Sequence, residues 1–355
     1  VFQGRAAYAG NGDTHGSCFH KLHHSGRAGS GRVEAALRAL RYSYRLCSPH
    51  LPMGQRGQRK SACPLRHCRL QLDVFIESRT KPLCHVLEMT SGNRPADGGH
   101  LIVEEEDYAD FVKHEPTALP YLRRLSGATE FINNKRRWCL WLVGVSPVEL
   151  RKMPAVMERV RKCREDRLKG ADDRKKLAET PTLFRETKNP DTAIVIPRHS
   201  SESRRYIPFG FIGKEMILTD AAMCIPNASY YDFGILESNV HMAWVRAVCG
   251  RLKSDYRYSK DIVYNNFPWP SPTEEQRAKI EQTAQAILDA RALYPECSLA
   301  DLYDEVTMPP ELRRAHQQND KAVMQAYGFS VRDTTESKCV AELMKLYKQM
   351  TEVQT

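Results

Sequence analysis

Long apolar runs are the first thing this sequence lacks. The longest clean one, Cys139 to Val145 with Gly144 inside it, is far short of the ~18 residues of a membrane span and suits a buried strand. No membrane insertion is expected. Acidic residues are scarce over residues 1–72, which hold twelve Lys and Arg against two Asp and Glu. The formal net charge of +10 therefore belongs to that segment, and residues 73–355 carry 41 charges of each sign. Overall basicity is thus no argument for a nucleic-acid partner. Paired cysteines are missing too: the 11 Cys are odd in number, scattered and never in C-x-x-C spacing. A disulfide framework is excluded, and Cys63 with His67 and Cys68 is the nearest approach to a metal-ligand cluster, too little to make one. The first residues, Val1-Phe2-Gln3-Gly4-Arg5, include neither an initiator Met nor a charged-then-apolar signal, so a fragment of a cytoplasmic protein is expected.

A chain of 355 residues has room for two or three domains. Residues 15–72 do not read as one of them. They hold six of the twelve His, many Arg, Ser and Gly, and no sustained period of 2 or 3.6. A solvated basic tail would look like this. So would a stretch translated in the wrong frame, and Arg41 to Cys68 can be back-translated so that a one-nucleotide shift yields an ordinary folded-protein composition.

The texture changes at Leu72. Val74-Phe75-Ile76 predicts a strand, and the Pro, Asn and Gly cluster from Asn93 to Gly99 a long turn. An acidic helix is expected from Glu104 to Lys113. Phe131-Ile132 and Trp138 to Val143 then read as two strands around a basic tip, Lys135-Arg136-Arg137. Ser146-Pro147-Val148-Glu149 is a capping box with Pro at the first helical position, and Pro154 opens a second helix. Its stripe of Met153, Val156, Met157, Val160 and Cys163 faces a core, leaving Arg159, Arg161, Lys162 and Arg164 mostly elsewhere.

Residues 192–236 predict short strands at Ala193–Pro197, Tyr206–Ile212, Met216–Leu218 and Met223–Asn227, hence a mixed or antiparallel sheet. Between the first two lies Arg198 to Arg205, a loop dense in donors able to meet phosphate oxygens or guanine O6 and N7. Asn239 to Val248 reads as a helix. The cations and rings interleaved from Gly250 to Lys260 suit a surface that tracks a nucleic-acid backbone. Past the Pro-rich joint at Pro268–Pro272 the chain turns helical, with a capping box at Thr273 and stripes at Ile280, Ala284, Ile287 and Leu288 and at Leu299, Leu302, Tyr303 and Val306. Pro309-Pro310 opens a further helix. The last one carries Cys339, Val340, Leu343, Met344 and Tyr347 on one face.

Several strings carry a resemblance. FINNKRRWCLWLVGVSPVELRKMP, IPRHSSESRRYIPFGFI, the run from Ile225 to Pro270 and ALYPECSLADLYDEVTMPPELRRAH closely resemble the MmeI-like class I SAM-dependent DNA methyltransferases of restriction-modification systems, over about residues 73–355. The resemblance implies an α+β chain: a mixed or antiparallel, β-rich target recognition domain over 73–270 and a small helical C-terminal domain over 271–355. Residues 1–72 would be the remnant or frame-damaged end of the preceding methyltransferase domain, without a native fold. It also implies adenine-N6 methylation, S-adenosylmethionine as the cofactor of the full-length protein, and double-stranded DNA as partner.

The catalytic signature of that family, Asn-Pro-Pro-aromatic, occurs nowhere in the 355 residues; Asn266-Phe267-Pro268-Trp269 and Asn189-Pro190 are echoes. Gly210-Phe211-Ile212-Gly213 lacks the strand-to-helix setting of a SAM turn. The chain alone is therefore expected to bind no cofactor and to transfer no methyl group, and a separate catalytic domain is its expected partner. What is left is reading the target. Phosphate contacts are expected from Lys135, Arg136, Arg137, Arg251, Lys253 and Lys260. Base or near-base contacts fall to Arg198, Ser200, Ser201, Arg204 and Arg205, with Tyr256, Arg257 and Tyr258 packed along the strand. Two rivals stay open: a Mg²⁺ nuclease built on Asp173 with Glu186-Thr187-Lys188, and a remnant with a structural role only.

Overall fold

A computed structural model of the chain describes residues 74–353. The basic segment 1–72, with Cys63, His67 and Cys68, lies outside the described residues. Residues 74–89 form no strand, contrary to the reading of Val74-Phe75-Ile76. Their backbone groups find partners elsewhere: Asn266 Nδ2 donates to the Glu77 carbonyl at 2.8 Å, Asn265 Nδ2 to that of Arg79 at 2.7 Å, and the Leu83 N–H donates to the Asn265 carbonyl. Two buried asparagines do the work of a neighbouring strand.

Along the chain follow β1 (Thr90–Ser91), β2 (Ile102–Glu104), α1 (Glu105–His114), β3 (Leu122–Ser126), α2 (Ala128–Asn133), β4 (Arg137–Leu140), α3 (Pro147–Arg151), α4 (Pro154–Leu168) and α5 (Asp172–Lys176). The expected strand at Phe131-Ile132 is the helix α2. Glu130 decides this by reaching back to the Gly127 N–H at 2.8 Å, a cap that outweighs the strand preference of an aromatic and a β-branched residue. In α3 the Ser146 and Glu149 capping box forms as the sequence predicts. On α4, Val156, Val160 and Cys163 are buried but Met157 is exposed. The same helix buries Arg167 completely, which its basic appearance hides.

Next come β5 (Thr192–Pro197), β6 (His199–Ser200), β7 (Gly210–Gly213), β8 (Met216–Leu218), β9 (Ala222–Pro226), α6 (Tyr230–Leu236), α7 (Asn239–Val248), β10 (Gly250–Leu252) and β11 (Asp255–Arg257). A π-helical turn, Lys260–Tyr264, leads to the Pro-rich joint and to α8 (Glu274–Ala292), α9 (Leu299–Leu302), α10 (Pro310–Ala326) and α11 (Glu336–Val353). Only Gly210–Gly213 of the apolar run from Tyr206 joins a sheet. Tyr206, Ile207 and Phe209 are core residues without a ladder, interrupted by Pro208, which has no N–H to give. Val306 was expected on a packing stripe, yet α9 stops at Leu302 and leaves Val306 90% exposed.

Three sheets result among the described residues: β1-β9-β5-β7, β2-β4-β3-β8 and β10-β11-β6, all antiparallel except the β3–β8 pair. In β5 the unbroken apolar run is explained by burial of both faces. Ile194 and Ile196 enter the largest core, and Ala193 and Val195 a small one with Ile212, Leu218, Ala222 and Cys224. That largest core is continuous from β5 and β9 through α6 and α7 to Ile280, Ala284 and Ile287 of α8, Leu312 and Val323 of α10 and Leu343 of α11. The joint at Pro268–Pro272 therefore separates no cores. Helix α6 meets α8 so closely at Gly234 that an added Cβ would lie 2.7 Å from Ile280 Cγ2. No helix among the described residues is long and apolar enough to cross a membrane.

Candidate nucleic-acid interface

Two segments far apart in sequence become one surface through the smallest sheet. In β11, Tyr256 pairs with Ser200 and Arg257 with His199, while the Tyr258 N–H donates to the Arg198 carbonyl at 2.8 Å. The Glu202 N–H donates to Asp255 Oδ1 at 3.2 Å, tying the loop after β6 to the hairpin of β10 and β11. Hence the donor-rich loop and the basic, aromatic segment share a face, a union that depends on strand register and cannot be read from spacing.

Burial then sorts the expected contact residues. Tyr256 and Tyr258 are buried, at 3% and 1% exposure, so neither ring is presented along a strand of nucleic acid. Tyr258 instead anchors the hairpin. The Nδ1 of buried His241 faces the Leu236 carbonyl at 2.9 Å and must donate there, so Nε2 accepts from the Tyr258 hydroxyl at 3.0 Å. Burial pulls the His241 pKa down to about 3 and keeps this neutral tautomer in place. Ser200 is also buried, with its Oγ lacking a partner in the structure. Ser201 shares a hydrogen bond with Ser203 Oγ at 2.9 Å.

Several arginines brace rather than reach. Arg137 is held by Glu104 at 2.8 Å and Glu130 at 3.0 Å. Arg198 donates Nε–H to the Asp220 carbonyl at 2.7 Å and Nη2–H to Ser91 Oγ; half-burial lowers its pKa. Arg251 lies 4.0 Å over the Tyr256 ring, donates to the Ser254 carbonyl at 2.8 Å and has Glu202 3.6 Å away. Lys260 has Asp261 at 3.9 Å.

The free cations are few. Lys253 and Arg257 are exposed, and no hydrogen bond or ion pair joins their side chains to other described residues. Lys253 forms the hairpin tip with φ of 55°, a left-handed backbone usually left to Gly or Asn. Arg205 is exposed and its guanidinium lies 5.7 Å from the centre of the Tyr206 ring. Arg204 is half-buried without an ion pair, and burial lowers its pKa. Lys135 and Arg136 are exposed on a different sheet, at the turn from α2 to β4 that Asn134 closes with φ of 51°.

Glu202, Asp255 and Arg246 matter here and were missed. Arg246 donates Nε–H to Glu336 of α11 at 2.6 Å and Nη1–H to the Arg205 carbonyl at 3.5 Å. Its place in the last turn of α7 gave no sign of this role.

The two carboxylates of the nuclease alternative meet at one arginine. Arg185 lies 3.4 Å from Asp173 and 3.6 Å from Glu186, so both carboxylates pair with its guanidinium. Among the described residues no group of three His, Cys, Asp or Glu could hold a metal. Gly210–Gly213 is the strand β7, paired antiparallel with β5 and followed by β8, not by a helix. Asn266 is wholly buried, donating to the carbonyls of Glu77, Asp261 and Ile262, and cannot meet a base.

Comparison with known proteins decides the family. Residues 71–271 match the description "MmeI, target recognition domain", and residues 272–354 match "MmeI, C-terminal domain". The chain belongs to the MmeI family. It is similar to DNA methyltransferase A of Bacillus subtilis (strain 168), with 39% identity over 282 residues, 79% of this chain and 32% of that protein. The solved structure of the Type IIL restriction-modification enzyme MmeI in complex with DNA superimposes with a TM-score of 0.76 at 44% identity, covering 79% of this chain and 38% of that one. The chain thus spans about a third of the length of these MmeI-type relatives. The sheet of β6, β10 and β11 falls within the segment matching the MmeI target recognition domain.

Proposed function

We propose that this chain reads a DNA sequence as the recognition part of a site-specific, adenine-N6 DNA methyltransferase of a restriction-modification system. The observation that carries the reading is the joining of β6 to β11, which gathers Arg204, Arg205, Lys253 and Arg257 around one small sheet and leaves them outside the salt bridges among the described residues. A buried anchor beneath the sheet and free cations above it are what rigid recognition of a duplex requires. Lys135, Arg136 and Lys260 are proposed as outlying phosphate contacts, while Arg137, Arg198, Arg251, Tyr256 and Tyr258 act as supports, and Ser200 and Ser201 shape the loop. Methyl transfer itself needs a SAM-binding domain with the Asn-Pro-Pro-aromatic motif, and that domain is the proposed catalytic partner.

Duplex binding measured by fluorescence anisotropy over a range of salt tests this. With about four phosphate contacts, the slope of log affinity against log salt should be about −3 to −4. Selection from a randomised duplex library should return one preferred site. Binding that is absent, or that ignores salt, would leave the chain a structural remnant.

A further inference from the structure

An open cleft of about 460 Å³ lies beside the recognition loop, where residues 202–205 face the end of α7 and the start of α11. Its walls come from both matched regions: Ser203, Arg204, Arg205 and Arg246 on one side, Thr334 and Thr335 on the other. We infer that this cleft seats a DNA phosphodiester, so that the helical C-terminal region is part of the DNA interface. The inference rests on the proposed function and adds to it a second wall and a ligand chemistry.

Three arginines and three glutamates line the cleft, and the pairing among them leaves Arg204 and Arg205 outside the salt bridges. Of the glutamates, Glu336 is bound to Arg246 at 2.6 Å and Glu202 is 3.6 Å from Arg251. Glu305 is left against Arg204 and Arg205, with Asp255 and Asp304 near enough to act on Arg204 and Asp320 on Arg205. Arg204 is half out of water and makes no salt bridge among the described residues, only the longer-range attraction of Asp255 and Asp304, so an incoming phosphate oxygen would give it a direct partner. Thr334 is half-buried, and Thr335 caps the eighteen-residue helix α11, its Oγ1 accepting from the Lys338 N–H at 3.4 Å. The N–H groups and dipole of that first turn add to the attraction. The loop is fixed for the purpose: directly after Arg205, the Tyr206 hydroxyl donates to Asp320 of α10 at 2.7 Å. Arg246 holds the same loop to α11 through the Arg205 carbonyl.

Opposite charges at one position provide the test. Thr334→Glu should weaken binding of a mixed-sequence duplex by about tenfold at low salt, and Thr334→Lys should strengthen it by several-fold. Damage to the fold would weaken both, so opposite signs support the seat. Arg204→Gln should lower affinity and make the salt slope shallower by about 0.9. If the wild type binds DNA and all three variants bind equally well, this inference fails while the proposed function stands. If the wild type does not bind, the proposed function fails first. Inorganic phosphate is the remaining probe: raising the unfolding midpoint of the wild type but not of Arg204→Gln, with DNA affinity unchanged in that variant, would mark a site for free anions and overturn the assignment to DNA.

Discussion

The carboxylate of Glu237, at the end of α6, accepts a hydrogen bond at 2.8 Å from Arg291 of α8, and the pair is nearly sealed from water, with 9% of the Arg291 side chain exposed and none of Glu237. Arg291 also donates to Tyr303, and Glu237 accepts from the Phe209 N–H at 2.6 Å. One ion pair therefore ties the end of α6 and the segment entering β7 to the helical region. Removing its cation strands a buried carboxylate. Arg291→Met should cost about 3 to 5 kcal/mol in a urea titration, and Arg291→Met with Glu237→Gln should recover part of that loss. Independent, additive costs of the two substitutions would disprove the coupling.

Asp320 on α10 makes stability depend on pH. It accepts from the Tyr206 hydroxyl and the Asn239 N–H, both at 2.7 Å, yet burial still pushes its pKa up to about 6 from an ordinary 3.8. A carboxyl with a raised folded pKa takes up a proton on folding between those values, so its contribution to stability falls as pH rises from about 4 to 6. Asp320→Asn removes that dependence. The deficit of the variant relative to the wild type should be largest near pH 4 and shrink by pH 7; denaturation midpoints at four pH values check it, and a constant deficit refutes it.

Arg167 holds a loop rather than a ligand. Its guanidinium, fully buried, donates to five backbone carbonyls, those of Pro95, Ala96, Leu177, Thr180 and Leu183, at 2.7 to 3.1 Å. Arg167→Met leaves them without donors and should destabilise the protein by ~3 kcal/mol or more. Arg167→Lys, with three donors, should lose less. Calorimetric midpoints that rank the two the other way would argue against the cage.

Lys253 separates stability from binding. Its φ of 55° strains a residue that has a Cβ, so Lys253→Gly should leave stability unchanged or raise it by up to ~1 kcal/mol. Duplex affinity should nevertheless fall, with a salt slope shallower by about one contact. A variant more stable and equally tight in binding would remove Lys253 from the interface.

The sequence by itself determined the α+β class, the capping boxes at Ser146 and Thr273 and the span of α7, because these rest on local hydrogen bonds and local periodicity. Specific strings also carried the family. It did not reveal that Phe131-Ile132 is helical, where the side chain of Glu130 tips the balance, or that the backbone just past Val74–Ile76, at Glu77 and Arg79, is held by distant asparagines. Only the tertiary structure decided which cations are free. Arg137 and Lys135 look alike in the sequence, as do Arg251 and Lys253. One of each pair is spent on a carboxylate that folding brings near from far along the chain, Glu104 for Arg137 and Glu202 for Arg251. Whether a cation is left without a salt bridge depends on long-range contacts no local pattern encodes.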